Sequence, residues 1–152
     1  MKFMLDSMVY DKIVATPQMV DRLNQLSKDG KVVVLCTHIQ QDELACISDK
    51  QKREAVAKII RKHVPTSGGV YDVSKWDQFT WGDGSSGGFG IDDVRSDSKK
   101  HTNDALIATT AARDADVLVT EERRLANRMK ALHSSCKVWA FDRLKEYIFG
   151  QL

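Results

Sequence analysis

Four acidic side chains are spaced along the chain so that one fold could bring them together. Asp6 follows a short apolar run, and Glu43 comes about one helical turn after a second run. Asp104 precedes a stretch of small residues, and Glu122 follows Val-Leu-Val-Thr. Carboxylates that converge in one crevice repel one another unless cations neutralise them. Hard oxygen ligands of this kind favour Mg²⁺ or Mn²⁺, so the pattern predicts a divalent-metal site.

Each of these acids also has an ordinary structural interpretation. Asp after a strand often forms a turn, Asp before a helix often caps it, and Glu in a first helical turn suits the helix dipole. Asp42 and Glu121 compete with their neighbours for the site. We choose Glu43 because it leads directly into the apolar Leu44. We choose Glu122 because it stands two residues beyond the end of a predicted strand.

The elements that would position these acids follow from apolar patterning. Uninterrupted or β-branched runs predict strands at residues 2–5, 31–36, 69–73, 116–120 and 136–141, with a polar turn at 6–7. Helical spacing predicts a helix that begins at Thr16-Pro17 and stops at Gly30. Further helices are predicted near 39–47, over 50–63, from Asp104 to 115, over 121–132, and from a cap at Asp142.

Strand and helix patterns therefore alternate, which is typical of an α/β fold with a parallel sheet flanked by helices. In an open parallel sheet the ligand crevice lies beyond the carboxyl ends of the strands. All four candidate acids map to that edge.

Length and composition limit the alternatives. A chain of 152 residues with net charge +2 and 29% charged residues is typical of a single globular domain, here 1–152, and not of a disordered chain or a uniformly basic nucleic-acid coat. Cys36, Cys46 and Cys136 have neither disulfide-framework nor zinc-finger spacing, which favours a reducing cytoplasm with Cys36 and Cys136 in the core. The apolar runs are far too short for a signal peptide or membrane span, so no membrane association is expected.

A glycine- and tryptophan-rich loop at about 74–98 is the least regular segment. Long loops of this kind are usually functional or mobile. Its aromatic residues could stack nucleic-acid bases, although packing against the body is the simpler role. Residues 82–87 satisfy G-x-G-x-x-G, but the Gly-Phe-Gly that follows cannot hold a helical turn cheaply, which argues against a dinucleotide site. Val94 occupies the last position of a calcium-loop pattern, which excludes that interpretation as well.

Two other kinds of site, a phosphoacceptor aspartate and a histidine metal site, fit the sequence less well. A phosphoacceptor receiver domain would need paired acids after the first strand and a lone Asp after the middle strand, and neither is present. The histidines share no metal-ligand spacing, and His101, three residues before Asp104, is interpreted as a surface residue at a helix entry.

The chain resembles the PIN-domain nucleases in four blocks, which occur in the same order and context. These blocks are Phe3-Met-Leu-Asp6-Ser7, Asp-Glu43-Leu, Asn103-Asp104-Ala-Leu-Ile-Ala and Asp116-Val-Leu-Val-Thr120-Glu-Glu122. The resemblance implies a three-layer α/β/α PIN-like fold and Mg²⁺- or Mn²⁺-dependent hydrolysis of RNA or, less often, DNA. Asp6, Glu43 and Asp104 would be the acidic core, and Glu122 stands where many members have Asp. Ser7 and Thr120 would orient the carboxylates.

The resemblance also implies a biological setting. The predicted function is a metal-dependent endoribonuclease that leaves a 5′-phosphate and a 3′-hydroxyl, and the small single domain is most similar to the toxin of a toxin-antitoxin pair. The partners would then be an antitoxin protein and a second copy of the chain in a homodimer. The alternative is a catalytically silent PIN domain that binds RNA or serves as a scaffold.

Basic residues flank the inferred crevice in sequence and could hold backbone phosphates. They are Lys99, Lys100, Arg123, Arg124 and Arg128. Arg128 could equally pair with Glu121 or Glu122 one helical turn away. A second basic stretch at 50–62 has two interpretations, a solvated helix face or a surface that steers phosphates.

Overall fold

A five-stranded, all-parallel sheet forms the centre of the computed structural model, which describes residues 1–67, 79–80 and 99–150. Its strand order is β3-β2-β1-β6-β7, and β4 pairs with β5 separately. The strands are β1 Lys2–Leu5, β2 Val33–Cys36, β3 Lys62–His63, β4 Thr66–Ser67, β5 Phe79–Thr80, β6 Val117–Val119 and β7 Lys137–Trp139. The helices in the described ranges are α1 Ser7–Ala15, α2 Met19–Lys28, α3 His38–Ala45, α4 Lys50–Ala57, α5 Lys99–Asp114, α6 Arg123–Ala131 and α7 Phe141–Gly150.

Alternate residues of the central strands pack on opposite faces of the sheet. Phe3 is in register with Val34 and Val117, and this row belongs to a core cluster with residues of α1, α2 and α7. Met4 is in register with Leu35 and Leu118, and this second row packs with α5 and α6. Strands covered on both faces read as continuous apolar runs, which is why the sequence pattern located them. The predicted α/β class with a parallel sheet is confirmed, and the two core clusters are compatible with three α/β/α layers.

The predicted polar turn after the first strand is wrong, because helix α1 begins immediately at Ser7. Val9, Tyr10 and Ile13 are fully buried at helical spacing, and this apolar stripe against the sheet stabilises the helix. Asp6 occupies the N-cap position of α1, yet its side chain makes no capping hydrogen bond. Its carboxylate is therefore available for another role.

Two predicted helix boundaries also change. Helix α2 begins at Met19 after an N-cap at Gln18, not at Thr16-Pro17, but it is ten residues long and Gly30 follows it with φ 72°, as a stop signal requires. The helix predicted over 50–63 ends at Ala57, because the Asn24 amide donates to Lys58 O at 2.8 Å and its oxygen accepts from Ile60 N–H at 2.8 Å. The chain then adds the edge strand β3 beside Cys36.

Other predicted elements differ by a few residues or fall outside the described ranges. β6, β7, α6 and α7 lie within the predicted limits to about two residues, and Asp142 lies in the first turn of α7 instead of capping it. The strand predicted at 69–73 lies outside the described residues. So does the loop at 74–98, apart from the two residues of β5.

His133 follows α6 and has a φ of 50°, so its replacement by glycine is expected to stabilise the protein. A left-handed backbone costs a residue with a Cβ about 1 kcal/mol, and glycine lacks this cost. We expect His133→Gly to raise the free energy of unfolding by up to about 1 kcal/mol, measured by urea denaturation. Ser135→Gly, two residues away and not at positive φ, is the control and should lower it.

Candidate functional site

The site lies where the direction of the sheet winding reverses. From β1 the chain adds β2 and β3 on one side, and then it returns to place β6 on the other side of β1. A crevice opens beyond the carboxyl ends of two strands that diverge in this way. Asp6 follows β1 directly and Thr120 follows β6 directly, so both lie at this point.

Asp6 and Thr120 are tied together across the two strands. The Asp6 N–H donates to Val119 O at 2.9 Å, which extends the ladder by one residue. The Thr120 hydroxyl donates to Asp6 Oδ2 at 2.8 Å and accepts from the Glu122 N–H at 3.0 Å. Asp6 is 7% exposed and Thr120 is 5% exposed. The Thr120 hydroxyl therefore orients the Asp6 carboxylate and links it to the backbone of Glu122.

Glu43 reaches the same place from the other side of β1. It lies in α3, and its carboxylate accepts a hydrogen bond from the Ser7 hydroxyl. Ser7 is the first residue of α1 and the neighbour of Asp6. The serine thus holds Glu43 beside the residue at the centre of the site.

The electrostatics of Asp6 show that these acids interact. Burial raises the pKa of the Asp6 carboxyl, and the negative charges of Glu122 and Glu43 raise that pKa further. Hydrogen bonds from the Thr120 hydroxyl and the Ser7 backbone oppose this rise. The ion pairs recorded in the described part of the chain, such as Lys12–Glu121 and Lys52–Asp11, do not include Asp6, Glu43 or Glu122. Two negatively charged side chains therefore act on the buried carboxyl group of Asp6.

The structure separates Glu122 from its competitor Glu121. The Glu121 carboxylate accepts the Phe141 N–H at 2.7 Å at the start of α7, and it pairs with Lys12 Nζ at 3.3 Å. These contacts, the backbone hydrogen bond first, lower the pKa of Glu121. Glu121 is thus a structural residue, whereas the charge of Glu122 acts on Asp6.

Asp104 lies inside α5, not at its first residue. The predicted opening of the helix at Asp104 is wrong, because α5 begins at Lys99, and the N-cap role is removed with it. Asp104 is half-buried and precedes the buried Ala108 and Ala111 by four and seven residues, so it continues the stripe of α5 that packs on the sheet. The charges that raise the pKa of Asp6 are those of Glu122 and Glu43, so the place of Asp104 in the site stays a prediction.

The residue types at this edge are those that divalent cations prefer as ligands. Within the described ranges, no group of three or more His, Cys, Asp or Glu side chains is arranged closely enough to hold a metal ion. The charges of Glu122 and Glu43 nevertheless act on Asp6, which is buried. Oxygen ligands with unneutralised charge are what Mg²⁺ and Mn²⁺ require. Asp6, Glu43 and Glu122 would be the residues to hold such an ion.

Sequence reasoning missed Gln40, which is fully buried in the first turn of α3. Its amide contacts both Leu5 O and Thr37 N–H. Thr37 and Gln40 match the T-x-x-Q spacing of a capping box, in which each side chain accepts from the other residue's backbone. That spacing was the signal in the sequence that could have found the residue.

Comparison with protein-family models, with curated proteins and with solved structures finds no match for this chain. None of the helices in the described ranges is both long enough and apolar enough to cross a bilayer.

Proposed function

We propose that this protein is a metal-dependent endoribonuclease with a PIN-like fold, and that Asp6, Glu43, Asp104 and Glu122 form its acidic centre. One observation carries the proposal. A buried Asp6 at the switch point of the sheet is linked through Thr120 to Glu122, and two unneutralised glutamates act on it. A purely structural aspartate at this position would be expected to cap α1 or to pair with a cation, and Asp6 does neither among the residues that the structure describes.

The residues would divide the work as follows. Asp6 supplies a carboxylate that is fixed by the Thr120 hydroxyl and by the hydrogen bond of its own N–H to β6. Ser7 keeps Glu43 turned toward the site. A bound Mg²⁺ or Mn²⁺ would supply the positive charge that activates water and stabilises the charge developing on the phosphate. No covalent protein intermediate is required, and the family resemblance implies 5′-phosphate products.

Helix α6 offers a surface for the RNA backbone. Four of its nine residues are Arg or Lys, and it contains no acid. It begins directly after Glu122, so its first exposed cation, Arg123, lies next to the acidic centre. Cations beside an acidic metal site are typical of nucleases, because the substrate is a polyanion that must be brought to a negative pocket.

Arg123→Ala is expected to weaken RNA binding without changing the metal requirement. Removal of one phosphate contact should reduce the slope of log Kd against log salt by about 1, measured by fluorescence anisotropy with a labelled single-stranded RNA. Lys28→Ala, an exposed cation at the end of α2, is the matched control and should leave the slope unchanged. Equal slopes for all three proteins would contradict a role for Arg123 in phosphate binding.

The proposed biological role is that of a toxin in a toxin-antitoxin pair, with an antitoxin protein and a second copy of the chain as partners. It rests on the family resemblance alone. Co-purification of a small protein that blocks cleavage would support it.

The decisive experiment incubates the purified protein with single-stranded RNA and, separately, single-stranded DNA, in Mn²⁺ or in excess chelator. We expect RNA fragments with 5′-phosphates in Mn²⁺ and none in chelator. Cleavage of DNA only would make the protein a deoxyribonuclease. Tight RNA binding with no cleavage under any metal would replace the enzyme with an RNA-binding module.

A further inference from the structure

The peptide unit between Leu5 and Asp6 is held at both ends by groups from different elements. Its N–H donates to Val119 O of β6 at 2.9 Å. Its carbonyl oxygen, on Leu5, accepts from Gln40 Nε2 of α3 at 2.6 Å. A peptide unit is planar, so two hydrogen bonds at opposite ends set its orientation and therefore the direction in which the next Cα, that of Asp6, presents its side chain.

Gln40 replaces a link that the sheet itself would otherwise provide. Val33 N–H donates to Met1 O at 2.9 Å, and bonds in a parallel ladder recur at every second residue. That repeat would bring Thr37 N–H opposite Leu5 O. The chain instead leaves β2 for α3, and the Gln40 amide lies between these two groups, accepting from Thr37 N–H at 3.0 Å and donating to Leu5 O. The side chain thus joins the end of β1 to the start of the helix that carries Glu43.

We infer that Gln40 is a positioning residue for the acidic centre, which sets the placement of Asp6 relative to Glu43. The inference rests on the proposed function. The side chain is fully buried, and its oxygen and nitrogen both have backbone partners, so neither has to rearrange when a ligand enters. A buried amide that satisfies two backbone groups is rigid, which is the property that a support for a metal ligand needs.

The test compares Gln40→Met with Thr37→Val. Gln40→Met keeps the length of the side chain and removes both amide hydrogen bonds. Thr37→Val removes the hydroxyl that accepts from Gln40 N–H at 3.3 Å and donates to Gln40 Oε1 at 3.4 Å. It keeps both hydrogen bonds of the Gln40 amide to backbone groups, those with Thr37 N–H and Leu5 O. Calorimetry with Mn²⁺ should give a Kd roughly 10- to 100-fold higher for Gln40→Met and an unchanged Kd for Thr37→Val, although both lower Tm. The KM for RNA should stay constant while kcat falls in Gln40→Met.

Gln40→Glu is the second variant, and it applies also if Gln40→Met does not fold. In its ionised form it keeps an acceptor for Thr37 N–H and loses the donor to Leu5 O. An added negative charge alone would strengthen Mn²⁺ binding, so weaker binding in Gln40→Glu is expected only if the donor matters.

A metal-free measurement separates this inference from the proposed function. Hydrogen exchange of the Asp6 amide should accelerate by about tenfold or more in Gln40→Met and stay near the wild-type rate in Thr37→Val. If the wild-type protein binds no Mn²⁺ and cuts no RNA, the proposed function is wrong. The exchange rates of the Asp6 amide then still test whether Gln40 positions Asp6. Mn²⁺ affinity within twofold of wild type in both Gln40 variants, equal weakening by Thr37→Val, or unchanged Asp6 exchange would overturn the inference.

Discussion

Asp6→Asn is expected to lower the rate of Mn²⁺-dependent RNA cleavage by more than about 100-fold, because loss of a ligand should exceed the 10- to 100-fold effect of losing its support. The amide keeps the shape of the side chain and an acceptor for the Thr120 hydroxyl, which donates to the carboxylate at 2.8 Å. The lost property is the negative charge. Single-turnover cleavage and calorimetric titration with Mn²⁺ would measure the two effects separately.

The same variant should be more stable than wild type at neutral pH. Burial first, and then the charges of Glu122 and Glu43, raise the folded-state pKa of Asp6 above its unfolded value. The folded protein therefore holds this proton more tightly than the unfolded chain does. Its stabilising effect is complete below the unfolded pKa and is lost as the pH rises through the folded pKa. Asparagine removes the cost of the charged form, so the gain in Tm should be present at pH 7 and should shrink as the pH falls.

Asp116→Asn provides the control from the opposite edge of the same sheet. Asp116 Oδ2 accepts the Lys2 N–H at 2.7 Å, far from the carboxyl ends of the strands. We expect this variant to cut RNA at the wild-type rate. Asp6→Asn protein that still cuts RNA in Mn²⁺, or that loses stability at pH 7, would show that Asp6 is not a buried, charged ligand.

Glu122→Gln and Glu121→Gln are expected to affect different properties although the residues are adjacent, cleavage in the first variant and stability in the second. Glu122→Gln should lower cleavage roughly 10- to 100-fold and leave stability nearly unchanged, because the charge of Glu122 acts on Asp6 and its backbone N–H keeps its bond to Thr120. Glu121→Gln should cut at the wild-type rate but lose about 1 kcal/mol of unfolding free energy, since it weakens the cap of α7 and the Lys12 pair.

The pH dependence of Glu121→Gln gives an independent check. The folded-state pKa of Glu121 is lowered, so its contribution to stability is present above the unfolded pKa and is lost as the pH falls through the folded pKa. The stability difference between this variant and wild type should therefore close in acid, as followed by urea denaturation at several pH values. If Glu121→Gln abolishes cleavage while Glu122→Gln does not, the assignment of the two glutamates is reversed.

Periodicity in the sequence predicted four of the five strands of the central sheet, all but β3, and most of the described helices that flank it. It worked best where burial is two-sided, as in the Phe3 and Met4 rows, because such strands must be apolar throughout. It failed at α1, where the polar pair Asp6-Ser7 resembles a turn, and at β3, where Lys62 and His63 are exposed on an edge strand. Edge strands and helix starts carry little apolar signal.

By itself, the sequence determined that strands and helices alternate and that acids follow the strands, because these are local properties of residue type and spacing. Only the tertiary structure showed what separates the two acids of the Glu121-Glu122 pair. The sequence favoured Glu122 over Glu121 only by its distance from the predicted strand. The tertiary structure gives the physical reason, because the N–H of Phe141 at the start of α7 binds the carboxylate of Glu121. Gln40 gained its role in the same way. Its contact with Leu5 spans 35 residues, and a contact over that distance depends on how β1 and α3 pack and not on any local pattern.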